Sequence, residues 1–210
     1  MNLQRVGGVA STANAFLTAI FLIILTVVFP RLGLVTPADW IDPVKGIPAW
    51  AASPITFSLF NMDYVLMSIA CLLTILALRE RMQSSAPTLM RIAVIATSIA
   101  CAMWAASGLM EIGARASLVS TKDASAYRAL MGVVLGLSVA GDHALGWALF
   151  STGWAALSSA KLSRILSYLA VLVGVLLILD FCSMVLGLFG YVLFVIWSFW
   201  LGVVLLRSKT

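Results

Sequence analysis

The strongest constraint on the fold of this chain is a stretch of roughly forty residues, Ile165 to Leu206, in which Asp180 is the only charged side chain. A helix of that length, at ~1.5 Å per residue, is about twice as long as the hydrocarbon core of a bilayer is thick. The stretch is therefore expected to fold back on itself as two membrane-spanning helices. The predicted turn is Gly187-Leu188-Phe189-Gly190, because glycine is a common breaker of helical segments.

Composition extends this conclusion to the whole chain. Of its 210 residues, 62% are hydrophobic and 10% are charged, whereas an ordinary soluble domain carries roughly 25% charged residues. So little charge cannot coat a surface that faces water. We therefore predict one all-α domain, residues 1–210, built as a polytopic bundle of about six transmembrane helices. The net charge of +5 does not indicate a nucleic-acid partner, because the basic residues lie in short loops without interleaved aromatic residues.

Six apolar runs separated by charged or polar turns are the predicted spans. Their approximate limits are 9–29, 55–78, 92–113, 129–157, 165–186 and 189–206. The longest intervening segment, 31–54, contains Thr36-Pro37-Ala38-Asp39, which has a hydroxyl cap, a proline in the first turn and an acid near the positive end of a helix dipole. A short helix is predicted there, whereas Arg115 to Arg128 are expected to form a charged connector.

The distribution of basic residues predicts that both chain termini lie in the cytoplasm. In that orientation the inner side carries eight lysines and arginines and the outer side carries five. The inner group is Arg5, Arg79, Arg81, Arg91, Lys161, Arg164, Arg207 and Lys209. The outer group is Arg31, Lys45, Arg115, Lys122 and Arg128. The segment 31–54 is then an outer loop, and the expected location is a cell membrane.

Ionisable side chains inside the predicted spans are the most informative feature for function. A charge at the centre of a bilayer costs about 2.5–3.5 kcal/mol on insertion scales, so such residues mark functional sites or contacts between helices. Four acids lie on four different helices at compatible depths, in the middle or outer half of the membrane, and a histidine and an asparagine accompany them. These candidate site residues are Asp63, Glu111, Asp142, Asp180, His143 and Asn61. We predict that they line one polar pocket that opens to the outside.

Structural explanations compete with this prediction. Arg115 follows Glu111 by four residues, a spacing that suits an ion pair on one helix face. Asp63 and Asp142 are deeper, and hydrogen bonds between helices are the alternative for them. His143, the only histidine of the chain, suits either a proton relay or a bond to another helix. No ligand motif of fixed spacing accompanies it, so we predict neither a metal site nor a cofactor.

Common catalytic motifs are absent from the sequence. It contains no GxSxG, no HExxH, no P-loop and no glycine-rich dinucleotide turn, which argues against an enzyme without excluding one. Gly132 and Gly136 form a GxxxG pair, extended by Ala140, that allows a neighbouring helix to approach closely. That neighbour belongs either to this chain or to a second protein. The partners to consider are therefore the lipid bilayer, a small-molecule ligand, and a homo-oligomer or larger membrane complex.

Three features carry a resemblance to a known group of proteins. They are a first helix after Gln4-Arg5-Val6-Gly7-Gly8, a basic turn at Leu78-Arg79-Glu80-Arg81, and the closing segment from Ile196 to Leu206. Their order resembles that of small bacterial six-helix membrane proteins of unknown function. The resemblance implies a six-helix fold in a bacterial inner membrane. It brings no assigned activity and no catalytic residues.

Three functions are compatible with these observations. The first is binding or transport of a small solute or of protons through an outward-facing polar cavity. The second is an accessory or scaffolding role in a larger membrane complex, which the short loops and the close-packing glycines favour. The third is an intramembrane enzyme that acts on a lipid, with a buried carboxylate as general base. The shared depth of the acids favours the first.

Overall fold

The computed structural model describes residues 2–207, and Lys209, which enters the orientation argument, lies outside them. The described part of the chain is all-α and contains no strand. Six of its helices are long and apolar enough to cross a membrane, which confirms the predicted polytopic bundle. The helices are α1 (Leu3–Arg31), α2 (Pro37–Ile41), α3 (Pro43–Ala52), α4 (Pro54–Met82), α5 (Pro87–Thr121), α6 (Ala124–Ser159), α7 (Arg164–Ile178) and α8 (Met184–Arg207).

The six spanning helices form a closed ring in chain order. Each one packs against the spans before and after it, so that α4 contacts α1 and α5, and α6 contacts α5 and α7. Helix α8 closes the ring by packing against α1. Consecutive spans run antiparallel. The ring therefore brings side chains from every span toward one central axis.

Helix α1 contains a turn of π-helix at Ile24–Val28, just before Pro30. Proline has no N–H to donate, and its ring crowds the carbonyl four residues earlier, so the wider turn accommodates it without ending the helix. The side chains of Phe21 and Leu25 lie at this level and face the interior of the ring. The π-turn thus shapes the part of α1 that borders the site described below.

The outer end of the bundle is the end that carries α2 and α3, which the distribution of basic residues predicts to face away from the cytoplasm. The Asp39 N–H donates to Thr36 Oγ1 at 3.4 Å, and the Asp39 carboxylate accepts the Thr36 N–H at 2.7 Å. This capping box confirms the helix predicted from these residues. Lys45, which donates to Asp39 at 2.5 Å, and the bonds from Thr36 hold the pKa of Asp39 well below its usual range.

Tyr127, near the outer end of α6, contacts both α2 and α3. Its hydroxyl donates to the Trp40 carbonyl oxygen at 2.9 Å, and its ring lies 4.8 Å from the ring of Trp50. Gly46 packs directly on the Tyr127 hydroxyl, where any side chain would clash. The segment 31–54 is therefore a packed cover on the outer end of the bundle.

The predicted turn at Gly187–Gly190 is wrong. Helix α7 ends at Ile178, a single turn of 3-10 helix covers Asp180–Cys182, and α8 already begins at Met184. The two glycines are helical and buried, and a Cβ on the second would lie 3.0 Å from Leu177. They let α8 approach α7 closely, whereas the chain reverses at the more polar residues before them.

The predicted connector Arg115–Arg128 is wrong in extent. Helix α5 continues to Thr121 and α6 begins at Ala124, so that two residues join them. Both extensions bury one face, which includes Leu118 and Tyr127, and this packing keeps them helical. At ~1.5 Å per residue the two helices are each about 50 Å long, so their outer ends project beyond a hydrocarbon core ~30 Å thick.

Candidate functional site

A cavity of about 450 Å³ lies inside the outer end of the bundle. Its walls come from five of the six spanning helices, from α2 and from the turn between α7 and α8. Four of the six residues predicted from the sequence line it, namely Asn61, Glu111, Asp142 and Asp180. The other two do not. The expected convergence of the intramembrane acids is therefore present for three of the four.

The cavity lies toward the end of the bundle that carries α2 and α3. The distance along α6 from Asp142 to the inner end at Ser159 is about 25 Å at ~1.5 Å per residue. On α5, the distance from Glu111 to the inner end at Pro87 is about 35 Å. In a hydrocarbon core ~30 Å thick these side chains fall in the outer third or at the outer interface.

Asp142 joins three helices at the floor of the cavity. The Tyr191 hydroxyl of α8 donates a hydrogen bond to Asp142 Oδ1, and Trp104 Nε1 of α5 donates to the same oxygen at 3.0 Å. Gly141 allows the Trp104 indole to lie against α6, where a Cβ would clash with it. The bonds between helices that the sequence left as an alternative for Asp142 are therefore present. Its second oxygen, Oδ2, accepts no hydrogen bond from residues 2–207.

Glu111 and Arg115 form the predicted ion pair, with Oε1 and Nη2 3.5 Å apart and both side chains buried. Arg115 Nη1 also donates to the Pro54 carbonyl oxygen and to Ser58 Oγ, each at 2.9 Å. The guanidinium carbon lies 5.8 Å from the ring centre of Trp50. Arg115 therefore compensates the charge of Glu111. It also links α5 to α4 through two hydrogen bonds and to α3 through the Trp50 ring.

Asp180 occupies the turn between α7 and α8, and its side chain lines the cavity. Its carboxylate accepts no hydrogen bond and forms no ion pair with the described residues, 2–207. The side chain lies against Gly187 of α8, and a Cβ at that glycine would overlap the carboxylate. The absence of a side chain at Gly187 thus leaves the space that Asp180 occupies.

Aromatic rings form a large part of the cavity wall. The rings of Phe21 and Phe60 are stacked with their centres 5.2 Å apart, and other ring pairs of the wall meet edge to face or at a tilt. The rings that line the cavity are Phe21, Trp40, Phe60, Tyr64, Phe181 and Tyr191. On the opposite wall, Ser107 Oγ and Ser138 Oγ lie 2.9 Å apart and form a small polar patch between α5 and α6. The cavity is mainly apolar, with a few polar groups at fixed positions, as is usual for ligand pockets.

Asn61 contributes to the cavity and to helix packing. Its Nδ2 donates to the Phe57 carbonyl oxygen of the same helix at 2.9 Å. The backbone carbonyl oxygen of Asn61 lies against Gly108 of α5, and a Cβ on that glycine would approach this oxygen to 2.7 Å. The amide is therefore held by its own backbone, and α4 and α5 are in close contact at the level of Glu111.

Asp63 and His143 lie outside the cavity. Asp63 is 4% exposed, and its Oδ2 has no hydrogen-bond partner within residues 2–207. His143 Nε2 accepts a hydrogen bond from Trp147 Nε1 at 3.2 Å, so Nδ1 carries the proton and donates to the Ile178 carbonyl oxygen at 3.2 Å. That bond caps the end of α7. Successive helical residues point about 100° apart, which is why His143 faces α7 while Asp142 faces the cavity.

The polar side chains that face the cavity carry carboxyl, amide, hydroxyl and thiol groups. Its serines have no histidine beside them, because His143 faces away. Within residues 2–207, no three histidine, cysteine, aspartate or glutamate side chains lie close enough together to hold a metal ion. The acids and the aromatic rings are the groups that remain for recognition.

Tyr191 and Trp40 are site residues that the sequence argument did not select. Tyr191 lies about 24 Å from the inner end of α8 at ~1.5 Å per residue, the same depth as Asp142. A tyrosine hydroxyl at that depth needs a hydrogen-bond partner within the bundle, so the position of Tyr191 in its predicted span already marked it as a candidate. Trp40 gave no such signal, because only the folding of α2 over the bundle brings it to the cavity.

Comparison of the chain with protein-family models, with curated proteins and with solved structures found no match.

Proposed function

We propose that this integral membrane protein binds a small organic solute carrying a cationic group in the cavity at its outer end. The membrane location rests on the six apolar helices. The choice of ligand rests on the charges that face the cavity. Arg115 compensates Glu111, whereas Asp142 and Asp180 have no cationic partner among residues 2–207.

The observation that carries the proposal is the unpaired Asp180 carboxylate in a cavity with aromatic walls. An ammonium group beside a carboxylate forms a charge-assisted hydrogen bond, and aromatic faces attract the same cation. Tyr64 and Trp40 supply aromatic rings in the wall of the cavity that the acids line. An anionic ligand would meet two uncompensated carboxyl groups instead.

Packing below the cavity favours binding from one side over an open channel. A small space nearer the inner end measures about 10 Å³, which is room for about one water molecule. Its lining includes Asn14, Thr74 and Trp197. Leu145 and Phe194, which line this small space, are buried and follow Asp142 and Tyr191 by three residues on α6 and α8. Passage of a solute or of protons would need a second conformation.

Ligand-dependent stabilisation in detergent tests the proposed function. Phenethylamine, a soluble probe with a ring and an ammonium group, is expected to raise the unfolding temperature by a few degrees at about tenfold excess over its dissociation constant. Phenethyl alcohol, which lacks the charge, should have little effect. Asp180→Asn should abolish the stabilisation, whereas the matched control Asp42→Asn, at a carboxylate outside the cavity, should retain it. Equal responses to both probes, or an unchanged response in Asp180→Asn, would refute the proposal.

A role as a subunit of a larger membrane assembly is the second candidate. Gly132 and Gly136 face away from the bundle, and no heavy atom of residues 2–207 lies within 4 Å of a Cβ built on either. A helix packed closely on this GxxxG pair would therefore come from a second protein and not from residues 2–207. Native mass spectrometry of protein extracted gently from its host membrane tests this candidate, and a lone monomer in repeated extractions would count against it.

The resemblance to bacterial six-helix proteins supports a bacterial inner membrane as the proposed location. Fractionation of the host's membranes tests it.

A further inference from the structure

Between α6 and α8 the cavity is lined by the turn Asp180–Cys182 and by no residue of α7. Helix α7, which separates them, ends at Ile178, and a Cβ on Gly146 of α6 would lie 2.8 Å from the Ile178 nitrogen. The α7 helix therefore stops level with Gly146, while α6 continues outward to Ala124, about 30 Å farther at ~1.5 Å per residue. Above that level the turn Asp180–Cys182 and the start of α8 line the cavity on this side.

Apolar side chains at this wall belong both to the cavity and to the outer surface of the bundle. Val139 of α6 lines the cavity and is 39% exposed, and Met184 of α8 lines it and is 43% exposed. Phe181 in the turn lines it as well and is 65% exposed. Large apolar groups exposed at this level of a spanning bundle face the lipid of the outer leaflet.

Asp180 stands at the same wall, next to these apolar groups. The Asp180 carboxylate lies against Gly187, which is four residues before Tyr191, so the carboxylate is about 6 Å outward of the level of Tyr191 at ~1.5 Å per residue. That height corresponds to the outer boundary of the hydrocarbon core. A molecule whose apolar chain lies in the leaflet and whose polar group lies at this boundary would bring that group to the Asp180 carboxylate.

We propose that the cavity opens sideways into the outer leaflet between α6 and α8, and that its ligand is a membrane-dissolved amphiphile with one apolar chain and a cationic headgroup. This inference rests on the proposed function and specifies its substrate class. The headgroup pairs with Asp180 at the mouth. The apolar part lies among the aromatic rings of the interior.

Contact quenching of tryptophan fluorescence in nanodiscs tests the opening. The full chain carries Phe in place of the exposed Trp147, Trp154 and Trp200, so that the remaining fluorescence comes from the buried Trp40, Trp50, Trp104 and Trp197, of which Trp40 lines the cavity. The probe is dodecylamine brominated in its chain, and brominated dodecanol is the uncharged control. We expect the amine to quench at least tenfold more effectively than the alcohol.

Two matched variants distinguish the mouth from the rest of the lipid-facing surface. Val139→Phe narrows the mouth and should weaken quenching by the amine about tenfold. Val133→Phe changes an exposed residue of the same helix that does not line the cavity, and it should leave quenching unchanged. Asp180→Asn should make the amine behave like the alcohol.

The outcomes separate this inference from the function on which it rests. Equal quenching in Val139→Phe and in the parent protein, together with stabilisation by phenethylamine, would overturn the lateral opening and keep a cation site reached from water. If neither amine produces a response that depends on Asp180, the cationic-ligand function itself is wrong.

Discussion

The buried ion pair between Glu111 and Arg115 leads to a quantitative prediction about stability. Arg115→Met removes two hydrogen bonds of 2.9 Å and a ring contact, and it leaves Glu111 buried without its counter-charge. Removing one member of a buried pair costs about 3–5 kcal/mol, because the remaining charge is uncompensated. We expect a loss in this range in the free energy of unfolding.

A second substitution isolates the charge effect. Glu111→Gln in the Arg115→Met background removes the uncompensated charge, so the double variant should be more stable than Arg115→Met alone by about 2 kcal/mol. Arg128→Met, at an exposed arginine of the outer end, is the control and should change stability by less than about 0.5 kcal/mol.

Reversible unfolding in mixed detergent micelles, followed by circular dichroism, measures these differences. The ion pair couples the effects of substitutions at Glu111 and Arg115. If the effects of Arg115→Met and Glu111→Gln simply added in the double variant, the pair would not hold the charge of Glu111 as described.

Three further predictions concern packing, capping and orientation. Gly146→Ala should destabilise the protein by about 1–3 kcal/mol, because the added Cβ would press on the backbone of α7. The control Gly132→Ala should be neutral or stabilising by up to about 1 kcal/mol. Unfolding in detergent measures both. Because the folded-state pKa of Asp39 is depressed, the capping box should contribute its full stability above the unfolded pKa of ~4 and lose it as the pH falls from there through the folded pKa. Titration by NMR should show that the Lys45→Met substitution raises the pKa of Asp39. Cys182, which is exposed at the turn before α8, should react with a membrane-impermeant thiol reagent only from outside the cell, and labelling only from the cytoplasm would reverse the orientation.

Local sequence patterns predicted local structure well. The cap formed by Thr36 and Asp39 is present because capping uses residues three apart in the chain. The ion pair between Glu111 and Arg115 is present because residues four apart share a helix face. Neither requires knowledge of a distant part of the chain.

The errors arose where distant contacts outweigh local composition. Gly187 and Gly190 looked like a turn, yet they are the places where α8 packs on Asp180 and on α7. The charged residues after Glu111 looked like a loop, yet packing at Leu118 and Tyr127 continues both helices past the membrane.

Hydropathy and charge by themselves determined that this chain spans a membrane six times, and they placed its acids at one depth, because the length of a helix and the thickness of a bilayer both run along the same axis. Only the tertiary structure decided which acids meet. Depth follows from counting residues, but the direction in which a side chain points depends on how each helix is rotated against its neighbours. That rotation brought Asp142, Asp180 and Glu111 to one cavity and turned Asp63 and His143 away from it.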